Sequence, residues 1–156
     1  MINNIALVIK QSMSFNKSSV TNLFETTSLV DMPLDEYLYR LVKYVNAWTG
    51  ETGGKETSGA KCLVMAIMYL ECHGLYSLIT RQNLHSVMMA AMLGAIKFIE
   101  DLNITSIFWA QVAGMTVQEV NLLERQFLTL VNYELFIDPD VFEEYVKLLL
   151  VDRPVL

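Results

Sequence analysis

Apolar side chains recur every three or four positions along most of this chain, which is the spacing of a helix with one buried face. No segment alternates apolar and polar residues long enough to predict a β-strand. The sequence therefore predicts an all-α bundle with short connections, in which about five main helices surround a buried central helix. The predicted helices cover residues 33–48, 60–73, 81–101, 107–113 and 117–131, with a last helix that begins at Asp138-Pro139.

Residues 88–101 are the most apolar stretch, and we expect them to form the centre of the bundle. The stretch is apolar on nearly every face until Lys97, which is typical of a buried helix. Gly94 costs about 1 kcal/mol relative to alanine inside a helix, so we expect a steric reason for it, such as a helix that crosses closely. Lys97 ends the apolar run and is therefore the first residue that we expect to carry function.

The predicted domain spans residues 31–152. Residues 1–30 are predicted to be an N-terminal extension, because their pattern of apolar positions is weaker. Within this extension, residues 20–30 are compatible with one short helix.

The glycine-rich segment 49–59 superficially resembles a phosphate-binding loop. Gly50 and Gly54 are separated by three residues instead of four, and Glu56 replaces the serine or threonine that would hold magnesium. We therefore interpret this segment as a flexible connector and expect no ATP binding there.

The composition favours a protein that works by contact with another protein. Hydrophobic residues make up 53% of the chain and charged residues only 18%, so part of the surface is expected to be apolar and covered by a partner. The net charge of −6 argues against nucleic-acid binding, which requires a basic face. No membrane span is predicted, and the short apolar run at residues 5–9 lacks a basic start and a cleavage pattern. We therefore expect an intracellular protein, in the cytoplasm, the nucleus or both.

The sequence offers no catalytic or metal-binding constellation. Cys62 and Cys72 lie in apolar helical patterns and are interpreted as reduced core thiols. His73 and His85 have no second ligand three or four residues away, which argues against a metal site. No serine or cysteine lies in a nucleophile motif. We therefore predict that the chain is not an enzyme and uses no cofactor, metal or small-molecule substrate.

Five motifs, in the right order and at the right separations, resemble those of a known family. On these motifs the chain resembles a cyclin with a single cyclin box, most closely of the Pho80-like (P/U-type) branch, from about Pro33 to Leu150. The motifs are residues 33–44, with an arginine at Arg40; residues 68–72, similar to Tyr-Ile-Asp-Arg; residues 82–85, similar to Asn-Val-His-Arg; residues 91–101, similar to Ala-Ala-Lys-Phe-x-Asp-Asp; and residues 112–128, which match the next two helices.

The resemblance implies a regulatory subunit that binds and activates a cyclin-dependent kinase by positioning the αC helix of the kinase. In that family, a lysine of the central helix and a glutamate of the fifth helix bond to the kinase near αC, and they correspond to Lys97 and Glu124. We expect an apolar surface around these two charges, with Phe98 and Phe127 as its candidate residues.

The resemblance also implies a buried ion pair between the first and second helices, formed by Arg40 and Glu71. At this motif the chain departs from the family, since Glu71 and Cys72 replace an aspartate and an arginine.

An alternative function is that of a cyclin-fold scaffold or transcription-related adaptor without kinase activation. Relatives of that kind that bind nucleic acid should be basic, whereas this chain is acidic.

Overall fold

The structure is a computed structural model that describes residues 1–13, 24–26, 30–50, 57–100 and 104–151. Within these ranges the secondary structure is entirely helical, so the predicted all-α class is confirmed. A 3-10 turn, Leu75–Leu78, follows the third helix. The α-helices of the described ranges are α1 (Ile2–Met13), α2 (Leu34–Thr49), α3 (Ser58–Cys72), α4 (Leu84–Ile99), α5 (Ser106–Ala113), α6 (Val117–Leu130) and α7 (Pro139–Leu150).

Helix α4 is the buried centre of the bundle, as predicted. Every residue from Ser86 to Ile96 is buried, and α4 packs against α3, α6 and α2. Burial ends where the sequence becomes charged, at Lys97 in the last turn. A helix without a polar face is stable here because neighbouring helices cover its circumference.

Glycines mark two close approaches between helices. A Cβ atom on Gly94 would lie 2.7 Å from the Cε1 atom of Phe127 on α6, so the predicted steric reason for this glycine is confirmed. On α3, a Cβ atom on Gly59 would lie 2.6 Å from the carbonyl oxygen of Val42 on α2. Both distances are too short for a side chain, so α4 and α3 approach their neighbours more closely than alanine would permit.

The helix ends follow local side-chain chemistry. A capping box begins α6: Thr116 accepts a hydrogen bond from the Glu119 N–H, and the Glu119 carboxylate accepts one from the Thr116 N–H. The predicted start of the central helix at residue 81 was three residues too early. There, the Thr80 and Asn83 side chains each accept a hydrogen bond from the other residue's N–H, and this turn replaces the first helical turn.

Helix α1 was missed by the sequence analysis, which assigned residues 1–30 to an extension. Its Ile5 and Ile9 are completely buried, and the helix packs on α2 and the 3-10 turn. The predicted short helix at residues 20–30 lies mostly outside the described residues, and its described residues, 24–26 and 30, are not helical.

The interpretation of both cysteines as core thiols was half correct. Cys62 is buried, whereas Cys72 is exposed. Cys72 is the last residue of α3, beyond the part of that helix that neighbouring helices cover.

We predict that Gly94→Ala lowers the free energy of unfolding by about 1–3 kcal/mol, the usual cost of forcing an extra methyl group into a packed core. The new Cβ atom would contact the ring of Phe127, which is completely buried and has little room to move. Chemical denaturation measures this change. In a Phe127→Leu background the same substitution should cost less. If helix propensity alone acted, Gly94→Ala would raise the free energy of unfolding by about 1 kcal/mol. That result would contradict the close contact with Phe127.

Candidate functional site

The last turn of α4 and the middle of α6 bring together the two charged residues that the sequence analysis singled out. Lys97 lies three residues after Gly94, and Glu124 lies three residues before Phe127. Because the two helices run in opposite directions at the Gly94–Phe127 contact, one turn along each helix brings the charges face to face. The Lys97 Nζ atom lies 2.7 Å from the Glu124 Oε1 atom.

This ion pair is accessible from one side. The side chain of Lys97 is 39% exposed and that of Glu124 is 14% exposed. An ion pair at such a surface contributes only about 0–1 kcal/mol to folding. The pair therefore has little value as a structural element, and its geometry leaves the ammonium group open to a partner.

Phe98, the residue after Lys97, is 47% exposed and lines a groove of about 780 Å³. We call this the α7 groove, because α7 forms its outer wall while α3 and the end of α4 form its inner wall. Its apolar lining includes Val64, Met65, Phe98, Phe136, Ile137, Phe142 and Val146. Four charged side chains also line the groove: Lys61, Glu100, Glu143 and Lys147.

A hydrogen bond fixes the inner wall of the α7 groove. The Ser58 hydroxyl, at the start of α3, donates to the Glu100 carboxylate just after α4, at 2.6 Å. Ser58 is buried, so solvent competes little for this bond. The bond ties the end of α4 that carries Phe98 to the start of α3.

Phe127 is not part of the surface, which corrects the prediction made for it. Its side chain is completely buried against Gly94, and its ring centroid lies 5.9 Å from that of Tyr69. The sequence contained a signal for this, since Phe127 continues the buried stripe of Val120 and Leu123 at helical spacing. The exposed aromatic residue of the α7 groove that the sequence analysis did not identify is Phe136, in the segment between α6 and α7.

Arg40 and Glu71 do not form the predicted ion pair. The Arg40 guanidinium donates to the carbonyl oxygen of Gln111 on α5 at 3.3 Å and lies 5.9 Å from the ring centroid of Tyr44. Glu71 is exposed at the end of α3. The prediction failed because Arg40 lies on the side of α2 that faces α5, whereas Glu71 points to solvent.

His85 has a packing role. Its Nε2 atom lies 2.7 Å from the Met32 carbonyl oxygen, and its ring contacts the edge of Tyr37. The Tyr37 hydroxyl donates to the carbonyl oxygen of Ala113, and burial raises the pKa of Tyr37, which keeps it a neutral donor.

Across the described ranges, no three histidine, cysteine, aspartate or glutamate side chains are placed to hold a metal ion. In those ranges no helix has both the length and the apolar character needed to cross a bilayer.

We predict that Arg40→Ala lowers the free energy of unfolding by about 0.5–1.5 kcal/mol, the usual loss for one hydrogen bond. Glu71→Ala should change it by less than about 0.5 kcal/mol, because Glu71 is exposed. Urea denaturation of the two single variants and the double variant should give additive effects within about 0.5 kcal/mol. A larger coupling energy would mean that the two side chains do interact.

Comparison with known proteins identifies the family. The cyclin family model matches residues 4–135, so the match begins inside the segment that was predicted to be an extension. Cyclin-U2-1 of Arabidopsis thaliana is 28% identical over 137 residues, which cover 86% of this chain and 57% of that protein. Cyclin-U4-1 of Arabidopsis thaliana is 29% identical over 85% of this chain and 62% of its own length. Cyclin-P2-1 of Oryza sativa subsp. japonica is 29% identical over 80% of this chain and 53% of its own length.

This chain thus spans between 53% and 62% of the length of these relatives. The family match covers the helices that carry Lys97, Phe98 and Glu124. Together with the all-helical bundle around α4, the comparisons establish that the chain belongs to the cyclin family and is of the P/U type.

Proposed function

We propose that this chain binds a cyclin-dependent kinase and activates it by positioning the αC helix of the kinase. Members of the cyclin family are regulatory proteins rather than enzymes. The observation that carries the proposal is the ion pair of Lys97 and Glu124 beside the apolar α7 groove, on the matched helices of a cyclin. We call the pair and the groove together the docking face.

The α7 groove can supply most of the binding free energy. Its lining combines apolar side chains with four charged ones, which suits an amphipathic helix. Phe98 and Phe136 are 47% and 74% exposed in the free protein, so a partner can remove much apolar area from water. Complete burial of one phenylalanine side chain is worth about 1.5–3 kcal/mol.

The ion pair is suited to fixing the orientation of the partner. The Lys97 ammonium has three N–H donors, and a carboxylate such as Glu124 has about four acceptor sites. Their mutual bond therefore leaves donors and acceptors for polar groups of the kinase. Because each charge already holds the other in place, little side-chain entropy remains to be lost on binding.

Activation follows from population shift. A kinase samples conformations in which the αC glutamate does or does not pair with the catalytic lysine, and phosphoryl transfer requires that pairing. A cyclin that binds αC only in the paired arrangement raises the population of the active conformation by its differential affinity. The docking face needs no catalytic group of its own for this effect.

We predict that Lys97→Ala and Glu124→Ala each weaken kinase binding by about 2–5 kcal/mol, because each change leaves a polar group of the kinase desolvated and unpaired. The free energy of unfolding should fall by no more than about 1 kcal/mol, since the pair is partly exposed. Calorimetry with a panel of purified cyclin-dependent kinases measures the first effect, and thermal denaturation the second. Kinase activation by the double variant at the wild-type level would contradict the proposal.

The exchanged pair Lys97→Glu with Glu124→Lys provides a control that separates folding from binding. The exchange retains the attraction between α4 and α6, so stability should stay near that of the wild type. The positions of donor and acceptor are reversed for a partner, so kinase binding should still be lost. Binding without activation by the wild-type chain would favour the scaffold or adaptor alternative.

We predict that Phe98→Ala weakens kinase binding roughly tenfold or more, because the exposed half of this ring is buried only in the complex. Leu122→Ala is the matched control. Leu122 is also 47% exposed but lies on α6 and does not line the α7 groove. The same calorimetric titration should give wild-type affinity for Leu122→Ala. Equal effects of the two substitutions would show that the groove has no special role.

A further inference from the structure

Helix α7 packs against the core through Phe142, Tyr145 and Val146, which are partly buried, and through Leu149 near its C-terminal end. Among its residues, all of which are described, Leu149 is the buried one. At the same position the side-chain amide of Asn4 on α1 donates a hydrogen bond of 3.1 Å to the Leu149 carbonyl oxygen. The last carbonyl groups of a helix have no partner within the helix, so this bond satisfies an acceptor that α7 itself leaves free.

The attachment of Leu149 also sets the rotation of α7. Phe142, Val146 and Leu149 follow one another at i, i+4 and i+7 and therefore share one face of the helix. Phe142 and Val146 are apolar residues that α7 contributes to the groove, together with Pro139 in its first turn. When Leu149 is buried, the same face of α7 is turned towards the inner wall.

Helix α1 is a firm support for this attachment. Ile5 and Ile9 are completely buried, and Ala6 is nearly so. Asn4 precedes this buried stripe directly and is itself partly buried. The position of α7 therefore depends on α1, which lies at the other end of the described chain.

We propose that Asn4 is a positioning residue for the docking face. Through its bond to Leu149, it holds α7 in the orientation that forms the outer wall of the α7 groove. The proposal rests on the proposed function in so far as it concerns kinase affinity. Asn4 itself does not line the groove, although Met1 just before α1 does. The bond from Asn4 to Leu149 is what links this residue to α7.

The effect on binding follows from the fraction of molecules in which α7 is docked. If the kinase binds only those molecules, the apparent dissociation constant equals the intrinsic constant divided by that fraction. Of the 12 residues of α7, Leu149 is buried and Phe142, Tyr145 and Val146 are partly buried, so loss of one hydrogen bond should lower the docked fraction. The docked fraction can fall at most by a factor of roughly 3–10, which is the change in equilibrium constant that one neutral hydrogen bond provides.

Hydrogen exchange and kinase binding of Asn4 variants test this inference. Asn4→Ala removes the donor, and Asn4→Asp keeps the size of the side chain while its ionised carboxylate can only accept. In both variants, amide exchange in α7 should rise about 3–10-fold, with α4 unchanged and the melting temperature near that of the wild type. Affinity is measured with the kinase of the panel that binds the wild-type chain most tightly. It should fall by the same factor as the docked fraction of α7 that the exchange data give.

Asn3→Ala is the matched control. Asn3 is the neighbouring asparagine on α1, but it is exposed and faces away from α7, lining a separate pocket with residues of α2. This variant should leave both exchange and affinity unchanged. Unaltered α7 exchange in Asn4→Ala and Asn4→Asp would overturn the inference, and so would faster exchange with wild-type affinity. If no kinase of the panel binds the wild-type chain, the proposed function fails together with the affinity part of the inference, while exchange still decides whether Asn4 positions α7.

Discussion

The contact between Gly94 and the ring of Phe127 determines how α4 and α6 lie against each other. With no Cβ atom in the way, the ring packs directly on the backbone of the central helix. This contact fixes the register of two antiparallel helices, and one turn away the register places Lys97 opposite Glu124. A steric feature of the core thus positions two charges at the surface, and the residue after one of those charges lines the α7 groove.

The spacing of apolar residues and the residues that cap helix ends were sufficient to predict most of the helices. The stretch from Met88 to Ile96 has no polar face, and the capping box at Thr116 fixes the start of α6, so both elements could be read from the sequence. Helix α1 was missed because its apolar residues form a continuous run at residues 5–9, which does not show the spacing of a single buried face. Its stability comes from packing on α2 and the 3-10 turn, which is a tertiary effect that propensity does not report.

The candidate site could be predicted only in part, and the two phenylalanines explain why. Phe98 and Phe127 each lie close to one of the predicted charges, yet one is half exposed and the other completely buried. The difference depends on which side of each helix meets its neighbour. For Phe127, the stripe with Val120 and Leu123 indicated burial, whereas Phe98 follows the end of the buried run and offers no such signal.

The Arg40–Glu71 prediction failed for a related reason. A carbonyl oxygen such as that of Gln111 is an acceptor that every residue carries, so no sequence pattern marks it as the partner of an arginine. Family resemblance suggested a carboxylate, but the second-helix motif of this chain differs at both Glu71 and Cys72. A resemblance transfers a contact reliably only where both partners and their helix faces are retained.

The ion pair that Lys97 and Glu124 already form in the uncomplexed protein limits what charge can contribute to the proposed kinase binding. Any bond that Lys97 makes to a partner either shares the ammonium with Glu124 or replaces an existing bond of 2.7 Å. The net electrostatic gain is therefore smaller than the number of new contacts suggests, because both charges are already partly satisfied and partly desolvated. Under the proposed function, affinity comes mainly from the apolar area of the α7 groove, while the pair rejects partners whose polar groups are misplaced. This division of roles accounts for the two charges that a domain with so few charged residues keeps close to Phe98 and the α7 groove.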